Sequence, residues 1–373
     1  MDRRTFLLVS AAGVLGAAGE GVAAGQQPVA VTVTKAMLGA GAVSSGVPLP
    51  PTPPVTGSRS VPVPSWGKPL PFPIVIADRR NNRLLEVTPG KRIVWEFASP
   101  SLKIYRGNED VNFSPDGRRL AVSEEDNYDV HIVDYERRGL VWTYGTPDVK
   151  GSGPGYLDYP DDAHILDDGK FVTADIRNCR VLILDPETNR IATQWGQPGR
   201  CRHDPPRSLA SPNGVTPLPN GDLLVSEIRG SWISRITRAG ELAWTVQAPR
   251  VRYPSDPFPT ADGQVIVADF SRPGRVVIFD PATRRVSWEY EGAAGEAMLD
   301  HCSLARELPG TGDIIVADDW RERVVVIDRQ TKQFIWQYGV TDRKGHAPGY
   351  LNYPDGFDID VFRDWKAALA GTP

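Results

Sequence analysis

Ile74-Val-Ile-Ala-Asp78, Leu120-Ala-Val-Ser-Glu124, Phe171-Val-Thr-Ala-Asp175, Leu223-Leu-Val-Ser-Glu227, Val265-Ile-Val-Ala-Asp269 and Ile314-Ile-Val-Ala-Asp318 are six versions of one pentapeptide. Each is a mostly apolar run that ends in an acid. A short loop follows each copy, then a second apolar run: Arg83-Leu-Leu-Glu-Val-Thr88, Val130-His-Ile-Val-Asp134, Arg180-Val-Leu-Ile-Leu-Asp185, Trp232-Ile-Ser-Arg-Ile-Thr237, Arg275-Val-Val-Ile-Phe-Asp280 and Arg323-Val-Val-Val-Ile-Asp328. A third run carries tryptophan with an apolar residue two places on, as in Trp95/Phe97, Trp142/Tyr144, Trp244/Val246, Trp288/Tyr290 and Trp336/Tyr338. The third copy departs, with Thr193 before Trp195. A fourth run precedes each pentapeptide: Asp110-Val-Asn-Phe, Asp162-Ala-His-Ile-Leu, Gly214-Val-Thr-Pro-Leu, Asp256-Pro-Phe-Pro, His301-Cys-Ser-Leu-Ala and Gly356-Phe-Asp-Ile.

Four short strands recurring about every 40–55 residues are the mark of propeller blades. Runs apolar on both faces suit sheets stacked between neighbours. The reading is an all-β, six-bladed β-propeller over residues 73–362. The chain enters at the second strand of blade 1, Ile74, and ends with a spare first strand, Tyr353–Asp360. That C-terminal strand is expected to complete blade 1 and close the ring, which leaves no open blade edge.

The bulk figures agree. Hydrophobic residues at 40% and charged residues at 24% describe a globular chain. A formal net charge of −4 excludes the basic footprint of a nucleic-acid binder. Residues 1–24 read as an export signal: Arg3-Arg4-Thr5-Phe6-Leu7-Leu8, a small apolar run, then Val22-Ala23-Ala24 as a cleavage site. The paired arginines followed by Phe-Leu resemble a twin-arginine signal, with an ordinary secretory signal as the alternative. Residues 25–72 hold Pro48, Pro50, Pro51, Pro53, Pro54, Pro62, Pro64, Pro69 and Pro71, and read as an extended linker. Residues 363–373 form a tail. No later apolar run is long enough for a membrane span, so the expected location is periplasmic or extracellular.

The junctions Asp78…Asn81-Asn82-Arg83 and Asp175…Asn178-Cys179-Arg180 resemble NHL-type repeats. The spacings Asp280…Thr283…Trp288 and Asp328…Thr331…Trp336 resemble the repeats of pyrroloquinoline-quinone-type and arylsulfotransferase-like propellers. The resemblance covers about residues 73–362 and implies the fold. Six blades, where quinone dehydrogenases usually have eight, argue against a bound quinone.

Loops between blades, and loops joining second to third strands, lie on one face of a propeller, around the central funnel. Two groups of residues fall there. The acid ending each second strand occurs in every copy. Six similar turns call for six similar clamps, so these acids are expected to pair with Arg83, Arg180, Arg275 and Arg323 or to cap loop amides. The second group opens each first strand and varies between blades: Glu109/Asp110, Asp161/Asp162 with His164, Asn213, Ser255/Asp256, Asp300/His301 and Asp355. Carboxylates converging on one axis need raised pKa values, arginine partners or a bound cation. Oxygen ligands from several directions suit Ca²⁺ or a similar hard divalent ion. Gluconolactonase-like six-bladed hydrolases hold such an ion with acid and asparagine ligands, and Asn213 and Asp355 are similar in kind and place. The candidate metal ligands are Glu109, Asp162, Asn213, Asp256 and Asp355. The plainer account is that Pro-Asp-Asp and Pro-Asn-Gly only fix turns.

His164 and His301, on blades 3 and 6, are the candidate catalytic bases. His203 and His346 sit in inter-blade loops, and His131, mid-strand, reads as structural. Cys179 and Cys201 are expected to form a disulfide in an oxidising compartment, leaving Cys302 as a buried thiol. Three function classes follow. The first is a cation-assisted hydrolase or lyase on a small organic molecule in the funnel. The second is a non-catalytic propeller binding a small ligand or a protein partner. The third is an arylsulfotransferase- or quinoprotein-related activity, implied by repeat resemblance alone.

Overall fold

The computed structural model describes residues 70–99, 101–292 and 294–363. The segment read as an export signal, nearly all of the stretch read as a linker, and residues 364–373 lie outside these residues. Among the described residues, twenty-four strands form six four-stranded antiparallel sheets. Blades 2 to 6 each take four consecutive strands. They open with Asn108–Phe113, Pro160–Ile165, Pro212–Pro217, Pro254–Pro259 and Cys302–Glu307. Blade 1 combines the two ends of the domain, in the order Pro354–Ile359, Ile74–Asp78, Arg83–Val87 and Ile93–Phe97. Ile74 pairs with Ile359 and Ile76 with Phe357, so the C-terminal strand closes the ring as its spacing predicts.

The second and third strands are buried on both faces because each sheet is covered by its neighbours. Leu70 is buried in the apolar cluster shared by blades 5, 6 and 1, with Phe72 packed against it. Tryptophans of the fourth strands reach across to the next blade. Trp95 Nε1 donates to Tyr135 O at 2.8 Å, Trp288 Nε1 to Arg329 O at 2.8 Å and Trp336 Nε1 to Pro89 O at 2.8 Å. Thr193 stands at this position in blade 3, opposite Ile183. A cavity of about 410 Å³ opens there between blades 3 and 4, with Thr193, Ile183, Trp195 and Leu223 among its walls.

Cys179 and Cys201 form a disulfide with a Cα–Cα distance of 5.2 Å. Cys302 is a buried free thiol. Burial, with the nearby charges of Asp318 and Asp269, pushes it well above the usual thiol range, so it is an inert packing group. No helix among the described residues is long and apolar enough to cross a membrane.

Candidate functional site

Every first strand begins at the axis with a β-bulge. Its pairing with the second strand slips by one residue just after the strand opens, in all six blades. A bulge breaks the in–out alternation of side chains. In blades 2 and 5 two successive residues, Glu109 with Asp110 and Ser255 with Asp256, therefore face the axis together. The second residue of all six first strands lines one small axial cavity of about 80 Å³: Glu109, Asp161, Asn213, Ser255, Ser303 and Asp355. Arg79, Glu125 and Phe270, each following the repeated acid of its blade, complete the wall with Tyr253.

At the third residue the ring reads Asp110, Asp162, Gly214, Asp256, Leu304 and Gly356. The two glycines make room for their neighbours' acids. A Cβ on Gly356 would lie 2.1 Å from Asp110 Oδ1, and one on Gly214 would lie 2.7 Å from Asp256 Oδ1.

The charges divide into two halves. On one side Arg79 donates to Asp355 at 2.7 Å, to Glu109 at 3.3 Å and to Glu125. On the other, carboxylate oxygens of Asp110, Asp161 and Asp256 lie within 4.8 Å of one another, all buried. Asn213 donates its amide to Asp161. Asp256 Oδ1 and Glu109 Oε2 are buried without a hydrogen-bond partner. Burial first, then mutual repulsion, pushes the carboxyls of Asp110, Asp161 and Asp256 well above the usual range. Burial also outweighs the Arg79 guanidinium at Glu109 and Asp355, which are raised too. A space this small, walled by acids with one arginine, favours protons or a cation.

The candidate ligands are thus separated by the fold. Asp256 stands in the acid cluster, Glu109 and Asp355 are held by Arg79, and Asn213 orients Asp161. Asp162 turns elsewhere. Its oxygens accept Val215 N at 2.8 Å and Asn112 Nδ2 at 3.3 Å and approach His164 Nε2 at 3.0 Å. Burial opposes its ionisation, but His164 and the amides of Val215 and Ala163 hold it below the usual range. Asp162 is an inter-blade brace.

His164 lies two residues beyond Asp162 along the same strand, and His301 precedes the first strand of blade 6, so the two histidines are not brought together. Neither lines the cavity. His301 Nδ1 is 2.6 Å from Asp300 Oδ1, and its ring stacks on Trp320 and meets the edge of Phe270. It is a rim residue. The residues of blade 6 equivalent to Glu109/Asp110 are Ser303/Leu304, three places beyond Asp300/His301. Asp110, Asp161 and Arg79 are the cluster members that a one-residue-per-blade choice of ligand passes over. Adjacent acids at 109–110 and 161–162, and a variable residue after each repeated acid, were the available signals.

The repeated acids behave as clamps. Asp78, Asp175 and Asp318 each accept an arginine Nε at 2.7 Å, from Arg83, Arg180 and Arg323. They also cap the amides of Asn352, Asp158 and Asp300 at 2.7–2.8 Å. Arg275 departs from the expectation. Its longer loop carries it to Glu289 and Glu291, and Asp269 instead caps Arg252 N and Tyr253 N. His203 takes the arginine's place in blade 4, with Nδ1 at 2.8 Å from Glu227 and its ring on Trp232.

Among solved structures, the fold is similar to a protein of unknown function from Bacteroides caccae. That pair shares 15% identity at a TM-score of 0.54, over 78% of this chain and 98% of the other. A streptogramin B lyase structure is similar at 15% identity and a TM-score of 0.45, over 63% of this chain and 69% of the other. The virginiamycin B lyase of Staphylococcus aureus is similar at 11% identity and a TM-score of 0.42, over 62% and 69%. No curated protein sequence matches the chain. The family model described as outer membrane protein assembly factor BamB matches residues 126–350, from just before the third strand of blade 2 to the loop after blade 6. On that match, which spans more than half of its residues, the chain belongs to this PQQ_2 family of propeller repeats.

Proposed function

We propose that this is an exported propeller whose axial mouth binds a hard divalent cation between Asp110, Asp161 and Asp256 and, through it, a small oxygen-rich organic ligand. The observation that carries the reading is the trio of buried carboxylates within 4.8 Å, with an unpartnered Asp256 Oδ1 among them. Oxygen-only donors from three blades match the preference of Ca²⁺ or Mg²⁺. The cavity of about 80 Å³ has room for the ion with one ligand head group or a few waters. A bound cation would polarise a ligand carbonyl, which makes hydrolase or lyase chemistry the enzymatic form of this site. His301, oriented by Asp300 at the rim, is the group we assign to proton transfer. Export is supported by the paired-arginine leader, the Cys179–Cys201 disulfide and the family's description as an outer membrane assembly factor.

Elemental mass spectrometry after equilibration with Ca²⁺ and gel filtration tests the site. The axial equivalent should be lost in Asp110→Asn/Asp161→Asn/Asp256→Asn and kept in Asp162→Asn. Unchanged Ca²⁺ content in the triple variant overturns the reading. Turnover of lactones, esters or lyase substrates that His301→Ala abolishes would establish the enzymatic form. A second reading, a protein partner on the same face, is favoured by Leu102, Ile104, Val149 and Trp320, which are exposed in the loops around the mouth. Crosslinking from Trp320→Cys in cell envelopes, with no cation requirement, would select it.

A further inference from the structure

Blade 2 breaks the clamp rule in an informative way. Where blades 1, 3 and 6 place Asp and Arg, it places Glu124 and Asp129, and His131 follows two residues later. Both carboxylates and the imidazole are fully buried. His131 Nε2 lies 3.3 Å from Glu124 Oε2 and 3.5 Å from Asp129 Oδ1, ion-pair contacts that are long and poorly angled for hydrogen bonds. Although burial opposes its charge, the two carboxylates push the imidazole up to about 10, so a proton is what an ion would displace there. Glu124 Oε1, Asn127 Oδ1 and the Tyr105 hydroxyl are buried without a hydrogen-bond partner. The Tyr105 ring stands 5.7 Å from the imidazole. Such a concentration of unsatisfied polar atoms would be costly if nothing filled it.

We propose that Glu124, Asp129 and His131 hold a buried divalent transition-metal ion of the zinc class, which replaces the arginine clamp in blade 2. Donors at about 2.0–2.1 Å around a tetrahedral ion are about 3.3 Å apart, close to the two spacings found. The outer partners are in place. His131 Nδ1 is 2.8 Å from Thr143 Oγ1, which leaves Nε2 for the ion. Asn127 Nδ2 steadies Glu124 at 3.0 Å and Asp129 at 3.2 Å. Asn127 Oδ1 and Tyr105 Oη are oxygens at hand for a fourth position. Charge balance points the same way. An Asp–Arg clamp is neutral, and two carboxylates with a neutral imidazole become neutral with a doubly charged ion. Blade 4 is the contrast: His203 uses both nitrogens, on Glu227 at 2.8 Å and Thr245 at 3.2 Å, and leaves no donor for a metal. The imidazole donor separates this site from the all-oxygen axial one.

The test is run in an Asp110→Asn/Asp256→Asn background, so that axial ions do not contribute. Protein refolded with Zn²⁺ and freed of loose metal should retain one equivalent per chain by elemental mass spectrometry. Glu124→Asp/Asp129→Arg/His131→Leu rewrites blade 2 with the Asp–Arg–Leu set found at Asp175, Arg180 and Leu182. It should fold, by circular dichroism and melting, and retain no zinc. Zinc retained in the rewritten protein, or none bound by its parent, overturns the proposal. X-ray absorption at the zinc edge of the parent reads the ligand shell directly and needs no variant in blade 2. One imidazole among oxygen ligands is expected, and an all-oxygen shell overturns the assignment.

Discussion

Asp110, Asp161 and Asp256 are kept close against their own repulsion by bulged backbone and by glycines at 214 and 356. Their raised pKa values have a consequence with a definite sign. The folded protein binds more protons than the unfolded chain between the ordinary carboxylate range near pH ~4 and neutrality, so stability falls as pH rises through that window. Asp175 and Asp318, pushed up by burial to about 6, add to the same trend. In chelator, thermal melting should move to lower temperature from pH 5 towards pH 7.5, and added Ca²⁺ should reverse the loss at the upper end. A melting point that rises with pH in chelator would contradict the charge arrangement described. Arg79 is the counterpart cation, three-way bonded and largely buried. Arg79→Met removes one partner of a buried network and should cost about 3–5 kcal/mol in chemical denaturation, with most of the loss recovered at mildly acidic pH.

Among the elements, the fourth strand of blade 3 is the outlier. Thr193 occupies the place of a bridging tryptophan, and the space it leaves is the cavity of about 410 Å³. Thr193→Trp should fill part of this space and raise unfolding free energy by about 1–2 kcal/mol, read from urea midpoints. The disulfide closes a stretch of 22 residues between the third strand of blade 3 and the loop ahead of blade 4. Cys201→Ser should lower stability by about 3 kcal/mol, and the cut site of a limited proteolysis should move into 197–211. Strands, their order and the clamps of blades 1, 3 and 6 were legible because short runs apolar on both faces and a fixed acid–arginine spacing are local signals. The axial cluster was half legible. The bulge lets neighbours in sequence face one point, so taking one acid each from Glu109/Asp110 and Asp161/Asp162 keeps Asp162, a brace, and passes over Asp110 and Asp161. His301 was aligned three residues early because blade 6 has serine and leucine where other blades have acids.

Across the molecule, charge follows geometry. The loops on the mouth face carry the variable residues, and the repeated clamps beneath them hold each blade to the next, which leaves the axis free to vary. The ring depends on one junction formed from the two ends of the domain. Ile74–Asp78 is paired on one side by Arg83–Val87 and on the other by Pro354–Ile359. Phe357→Asp, which places a charge at the buried centre of that junction, should leave secondary structure largely present by circular dichroism while the protein elutes as aggregates.

That junction also has a bearing on synthesis. The innermost strand of the first blade is encoded after all the others, so a nascent chain carries an unsealed blade 1 while blades 2 to 6 emerge from the ribosome. Translation that stalls before Pro354 yields five complete blades and a gap with the edge of Ile74–Asp78 bare, an edge open to pairing with other chains. Only a chain read through to Pro354–Ile359 can cover the inner edge of Ile74–Asp78, so closure of the ring reports that this last blade strand has been made.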